Sequence, residues 1–233
     1  MQSTKFENKL GKLRVAAHHR YLEYDDGTPF FYLGDTAWEL FHRLTREEAQ
    51  HYLGNRAAKG FTLIQAVALA ELGGTDVPNP YGELPLINRD PATPNEGYFR
   101  HVDDIVQDAE ELGLFMGMLP TWGSCWKLYG GNDDAIFTVE NARVYGRFLG
   151  ERYRDRAIIW ILGGDRNIEC DEERATIEAM AEGLCHGDGG THLFTYHPRG
   201  PGHSSDYFHH ASWLDFNMIQ SSHGARDHDN GLF

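Results

Sequence analysis

Long apolar runs are missing from this 233-residue chain, and with them any stretch approaching the roughly 20 residues that span a bilayer. Cysteine is scarce. Cys125, Cys170 and Cys185 are odd in number and form no C-x-x-C pair, so reduced thiols are expected rather than a disulfide framework or a thiolate metal site. Positive charge is also short: 21 Lys and Arg face 35 Asp and Glu, a formal net charge of −14. A polyanion is a poor partner for nucleic acid or an anionic membrane, so neither is expected. No Gly-x-Gly-x-x-Gly follows the first apolar run, and no phosphate-cradling loop occurs, so no nucleotide cofactor is implied. The Gly-x-Ser-x-Gly elbow of serine hydrolases is absent too. The first residues, Met1 to Lys9, carry no apolar leader core. The cytoplasm is therefore the expected location, with export or the periplasm the alternative if the N-terminus is incomplete.

Six short apolar runs stand out: Phe30–Leu33, Phe61–Leu69, Leu114–Leu119, Ile158–Leu162, Leu193–Tyr196 and Phe216–Gln220. Helical patterns separate most of them. Thr45-Arg46-Glu47-Glu48 is a capping box, and its helix stops at Lys59-Gly60. Phe99, Val102, Ile105, Val106, Ala109 and Leu112 recur at three-to-four spacing ahead of Gly113. Further helices are predicted from about Thr138 to Tyr153 and from Glu172 to Leu184. Strand, loop, helix, glycine, strand is a βα repeat, and nearly continuous apolar strands indicate a parallel sheet covered on both faces. Long loops follow the strands while the returns are short, which loads one rim with polar and aromatic residues. The predicted fold is α/β, a TIM (β/α)8-type barrel with about six βα units present; a doubly wound sheet is the alternative. A closed barrel needs two more strands, so either the fold is open or the chain is part of a longer one.

On this reading the strand ends converge on one rim. The first delivers Asp35 and Trp38, the second Gln65 and Glu71, and the third Trp122. The fourth delivers Asp165, Arg166 and Asn167, the fifth His197, and the sixth Gln220 and His223. Indole faces stack on sugar C–H faces, while Asp, Asn, Gln and His hydrogen-bond hydroxyls, so a neutral carbohydrate suits the rim. Other roles are open for several of them. Asp35 can cap the turn that follows, Glu71 can be a solvated loop acid, and Trp38 and Trp126 can pack loops. Asp165 can pair with Arg166, although Gly163 and Gly164 before it indicate crowded backbone. Histidine invites a metal, above all His223 and His228 with Asp227 and Asp229. No His-x-His follows the first strand and no histidine pair has helix-face spacing, so no metal is expected.

The motifs come in one order. They are Phe30-Phe-Tyr-Leu-Gly-Asp-Thr-Ala-Trp-Glu-Leu40, Lys59-Gly-Phe-Thr-Leu-Ile-Gln65 and Leu119-Pro-Thr-Trp122, followed by Trp160-Ile-Leu-Gly-Gly-Asp-Arg-Asn167, Thr195-Tyr-His-Pro198 and Asp215-Phe-Asn-Met-Ile-Gln220. Together, from about Leu10 onward, they resemble the apiosidase-like glycoside hydrolases, grouped as glycoside hydrolase family 140 and its relatives. That resemblance implies a TIM-barrel catalytic domain over residues 21–233 after a lead-in of residues 1–20. It implies Asp165 as acid/base and, as nucleophile, a glutamate in a Gly-Glu-Pro segment after a later strand. No Gly-Glu-Pro occurs here, so the resemblance also implies that the C-terminal part of the domain lies beyond this chain, which alone would be inactive. A non-catalytic carbohydrate-binding barrel and, less favoured, a metal-dependent hydrolase are the competing functions.

Overall fold

The structure, a computed structural model, describes residues 10–127 and 135–221. The chain begins with an antiparallel sheet of β1 (Leu13–Val15), β2 (Leu22–Tyr24) and β3 (Pro29–Phe30). Leu13 pairs with Tyr24 and Val15 with Leu22, so this pairing crosses the boundary expected between residues 20 and 21. Five parallel strands follow: β4 (Gly34–Thr36), β5 (Leu63–Leu69), β6 (Phe115–Thr121), β7 (Ile158–Gly163) and β8 (Leu193–His197). Their spatial order is the chain order. A doubly wound sheet reverses direction at a switch point, whereas a barrel wall adds each strand beside the last. The order favours the barrel.

Helices return the chain between strands. Short α1 (Leu40–Arg43) precedes α2 (Arg46–Ala58), whose Thr45 hydroxyl accepts the Glu48 amide while Glu48 accepts from Thr45 N–H, the capping box read from sequence. Then come α3 (Glu96–Glu111), α4 (Val139–Tyr153) and α5 (Asp171–Asp188). The predicted apolar stripe of α3 is the face it buries, with Phe99, Val102, Ile105, Val106 and Ala109 all fully covered, except at its end, where Leu112 caps the helix and is exposed. Helices α4 and α5 meet backbone to backbone, because Gly146 and Gly150 face Met180 and Leu184, and Gly183 and Gly187 face Arg143 and Arg147.

Alternation along the strands splits the core into two layers. Ile64, Ala66, Met116, Met118, Trp160, Leu162 and Tyr196 pack outward on the helices. Leu63, Val67, Phe115, Leu119, Ile159, Ile161 and Leu193 face inward, where Leu13, Leu22 and Phe30 of the antiparallel sheet cover them. Phe30 meets Phe115, at the start of β6, with ring centroids 5.3 Å apart. The hairpin sheet therefore plugs the N-terminal end of the wall and leaves the opposite rim open for a site.

Two strand assignments change. The run Phe30–Leu33 is not the first wall strand: Pro29 and Phe30 belong to the antiparallel sheet, and Gly34–Thr36 pairs with β5 instead. The run Phe216–Gln220 is regular only at β10 (Ile219–Gln220), which pairs with β9 (Gly202–His203), ahead of α6 (Ser204–Phe208). The segment before β10 still lies along β8, since Thr195 Oγ1 donates to the Phe216 carbonyl (2.8 Å) and Asp215 accepts the Phe194 amide (2.8 Å). A groove of about 950 Å³, lined by Phe31, Tyr32, Leu214 and Phe216 among others, runs between the hairpin and this segment.

Candidate active site at the carboxyl ends of the strands

Backbone conformation is unusual at the end of β7. Gly163, Gly164 and Asp165 all have positive φ, at 101°, 90° and 61°. A Cβ on Gly163 would lie 2.5 Å from the His197 carbonyl, and one on Gly164 would lie 2.7 Å from the Gly123 nitrogen. Both neighbours are backbone and cannot yield, so only glycine fits either place. Asp165 carries the left-handed cost without that excuse, which marks a conformation imposed by its surroundings.

Those surroundings are five hydrogen bonds to five consecutive carbonyls. Trp126 Nε1–H donates to Gly163 (2.7 Å), Gly123 N–H to Gly164 (3.0 Å) and Arg166 Nη1 to Asp165 (2.8 Å). The Tyr196 hydroxyl donates to Arg166 (2.6 Å) and Lys127 Nζ to Asn167 (3.0 Å). A left-handed run cannot satisfy its own carbonyls in helix or sheet, and four donors from other segments, with the Arg166 side chain, take that part. Burial holds the Tyr196 phenol well above its ordinary pKa, so the donor keeps its proton. Lys127, itself buried, also lies 2.9 Å from the Glu173 carboxylate of α5 and 3.1 Å from Glu169.

Aromatic and titratable groups gather around this turn. Asp165 N–H donates to His197 Nδ1 (3.0 Å). Trp38 lies edge-on to His197 at 5.6 Å between centroids and 5.5 Å from Trp122, with Trp122 6.3 Å from His197. The Asp165 carboxylate is part-exposed, and its partner Arg166 stands 3.7 Å away. Glu71 joins them electrostatically: burial pushes its carboxyl above the usual range, the charges of Glu39 and Asp165 push the same way, and Arg166 opposes. His197 is pulled below the ordinary imidazole value by burial, against the attraction of Asp165.

The predicted rim is thus assembled in part. Trp38, Glu71, Trp122, Asp165, Arg166 and His197 share one neighbourhood. Asn167 adjoins them, but its Oδ1 accepts the Arg199 amide (2.9 Å). Gln65 faces inward one layer down, opposite Thr36 and against Gly34 and Gly117. Gln220 pairs with Gly202 in the small sheet, and its Oε1 is buried without a hydrogen-bond partner among the described residues. His223, with Asp227, His228 and Asp229, lies outside the described residues; among those described, no group of three or more His, Cys, Asp or Glu could hold a metal ion.

Asp35 is a correction. Its carboxylate points away from the rim to α2, where Arg56 Nε and the Tyr52 hydroxyl (2.9 Å) donate to it, and its other oxygen accepts the Thr36 amide (2.9 Å). Burial works to raise its pKa, but Arg56, Tyr52 and Thr36 outweigh it and hold the group below the usual carboxylate range. On a strand only three residues long, Gly34 and Thr36 take the inner face and Asp35 must take the outer one. Trp126 is settled as a buried loop-packing residue. Sequence reasoning missed Lys127, Glu173, Tyr196 and Glu39. The last has Oε2 2.7 Å from buried His42 Nδ1 and Oε1 buried with no hydrogen-bond partner among the described residues.

Residues 16–232 match the model of a protein family described as apiosidase-like, catalytic domain. The chain belongs to this family. Its apiosidase-like fold superposes on a solved "glycoside hydrolase" at 38% identity with a TM-score of 0.81, covering 94% of this chain and 48% of that one. A glycoside hydrolase family 5 structure from Bacteroides vulgatus ATCC 8482 gives 35% identity and 0.80, covering 94% and 46%. The apiosidase-like chain thus spans just under half the length of these two relatives. A family 5 mannosidase from Rhizomucor miehei, at 14% identity and a TM-score of 0.56 over 80% of this chain and 55% of that one, shares the fold alone. No curated protein matches the chain. The domain is glycoside hydrolase-like, an α/β fold of the TIM-barrel kind, and none of its described helices is long and apolar enough to cross a membrane.

Proposed function

We propose that this chain is the acid-bearing part of a glycosidase that cleaves plant-type or related oligosaccharides by two-carboxylate chemistry, with Asp165 as general acid/base. The observation that carries the reading is the clamped turn after β7. Five donors fix consecutive carbonyls around the left-handed Asp165, so its carboxyl is placed chiefly by the scaffold, with Arg166 a loose partner at 3.7 Å. Preorganisation of this kind suits a group that must meet one oxygen of a substrate.

In the reaction, Asp165 donates its proton to the glycosidic oxygen as the C–O bond breaks, and the leaving alcohol departs neutral. The second carboxylate is supplied by polypeptide outside these 233 residues. As a nucleophile it would stand about 5–5.5 Å from Asp165, and as a base activating water about 6.5–9.5 Å away. Trp38 and Trp122 form an aromatic wall for the sugar's C–H face, while His197, Glu71, Asn167 and Arg166 address its hydroxyls. Gln65, Gln220 and His223 are further candidates for hydroxyl contacts. Burial and the charges of Glu39 and Asp165 disfavour the ionised form of Glu71 and raise its carboxyl, while the Arg166 guanidinium favours the ionised form and opposes them.

The test uses the purified 233-residue chain with a panel of 4-nitrophenyl glycosides and plant cell-wall oligosaccharides. Saturation-transfer NMR is expected to detect sugar contact, and no product should accumulate. Turnover that Asp165→Asn abolishes would place both carboxyls inside the chain. Absence of contact with every sugar would contradict the carbohydrate reading.

A further inference from the structure

His197 stands at the end of β8 with only 7% of its surface exposed, between two indoles and the catalytic turn. Its Nδ1 receives the backbone N–H of Asp165 at 3.0 Å. A ring nitrogen that accepts a hydrogen bond carries no proton, so the neutral ring must carry its proton on Nε2. The geometry is therefore more specific than a histidine near a site: one nitrogen is committed to the backbone of the acid, and the other is a donor of fixed sign and direction.

We propose that His197 is both the positioning residue that anchors Asp165 through its amide and a specificity-determining donor, its Nε2–H directed to a hydroxyl or ether oxygen of the bound sugar. The donor half rests on the carbohydrate reading above; the anchoring half does not. A ligand atom that can only donate, such as an ammonium, would be rejected at that point, while any sugar oxygen is accepted. The arrangement also has a built-in acid limit. Protonation would place a hydrogen on Nδ1, facing the Asp165 N–H, and the anchor would be lost.

The groups around the ring decide where that limit falls. From the segments after β4 and β6 the ring meets Trp38 and Trp122, which do not titrate. From the turn after β7 it meets Asp165, whose charge favours the imidazolium, with Arg166 beyond it. Burial outweighs that attraction and the pull of the residue's own backbone carbonyl, and holds the ring below the ordinary imidazole value. Since the unfolded chain binds the proton more readily, the stability linked to His197 is fully present above the ordinary imidazole value. It falls as pH drops below that value, and the loss is complete below the folded one.

The experiment is nitrogen-15 NMR of the histidine-labelled chain, with His197 assigned by its disappearance in His197→Asn. Nδ1 is expected to resonate as an unprotonated acceptor and Nε2 as N–H at neutral pH. On acidification the ring and the Asp165 backbone amide should move with one midpoint, below that of an exposed histidine. Asn at 197 puts an oxygen near the place of Nδ1 but has no donor where Nε2–H stands. It should keep the neutral-pH Asp165 amide position, flatten its pH dependence, and weaken by about tenfold or more the binding of any methyl glycoside the wild type binds. A protonated Nδ1, or an Asp165 amide indifferent to the ring's titration, would overturn the anchor. Equal methyl glycoside affinity in wild type and His197→Asn would overturn the donor. If the wild type binds no methyl glycoside, the carbohydrate reading fails and takes the donor with it, while the ring and amide signals still decide the anchor.

Discussion

Replacing Asp165 with asparagine, in the polypeptide that carries both carboxylates, should lower kcat by about 100- to 10,000-fold, the range over which a positioned general acid contributes. Asn has nearly the same size and keeps an oxygen acceptor, but it cannot release a proton at neutral pH. Its folded structure should be unaffected, because the turn is held by what its carbonyls receive and not by what the side chain contacts. The side-chain partner is Arg166 at 3.7 Å, both groups are about 30% exposed, and such pairs contribute about 0–1 kcal/mol. A thermal midpoint equal to wild type alongside the lost rate would separate a chemical role from a structural one. KM should move little, since the proton is given in the transition state and not on binding.

Lys127→Met should destabilise the domain by about 3 kcal/mol or more, read as a lower urea midpoint with unchanged slope. Lys127 and Glu173 are 5% and 2% exposed, so the substitution strips the ammonium from a carboxylate that water does not reach. It also removes the donor on the Asn167 carbonyl, one of the five on the turn after β7. Glu169→Ala, at the exposed end of the same cluster, should cost under about 1 kcal/mol because solvent screens that contact. Adding Glu173→Gln to Lys127→Met should recover part of the loss, since the buried charge goes with its partner. A Lys127→Met midpoint matching wild type would show that the cluster does not hold the turn.

Local signals were legible where they are local in origin. Capping at Thr45, most of the apolar stripe of α3 and the glycines that end helices each depend on residues within a few positions, and each stands in the structure as its pattern indicates. Gly163-Gly164-Asp165 was legible for the same reason, because paired glycines before a charged residue mean crowded backbone. Non-local facts were not. Phe30 is as apolar as a wall strand should be, yet it pairs with Leu22, and no local pattern distinguishes that from pairing with β5. Asp35 matches a rim residue by position, but Arg56 lies 21 residues away on α2 and fixes its outward direction. Lys127 and Glu173 are 46 residues apart, and their pairing exists only once β6 and α5 are in place. The glycine pairs at 146 and 150 and at 183 and 187 went unread, because their use lies in two helix faces that meet only in the fold.

The central claim, that Asp165 gives a proton to the leaving group, is tested most directly by the leaving-group dependence of its substitution. The measurement is kcat/KM for wild type and Asp165→Asn on a series of aryl and alkyl glycosides of one sugar, ordered by leaving-group acidity. The predicted result is a loss that is greatest for methyl and phenyl glycosides, which need protonation, and nearly vanishes for a dinitrophenyl glycoside, which does not. An equal loss along the whole series, or no loss at all, would contradict it.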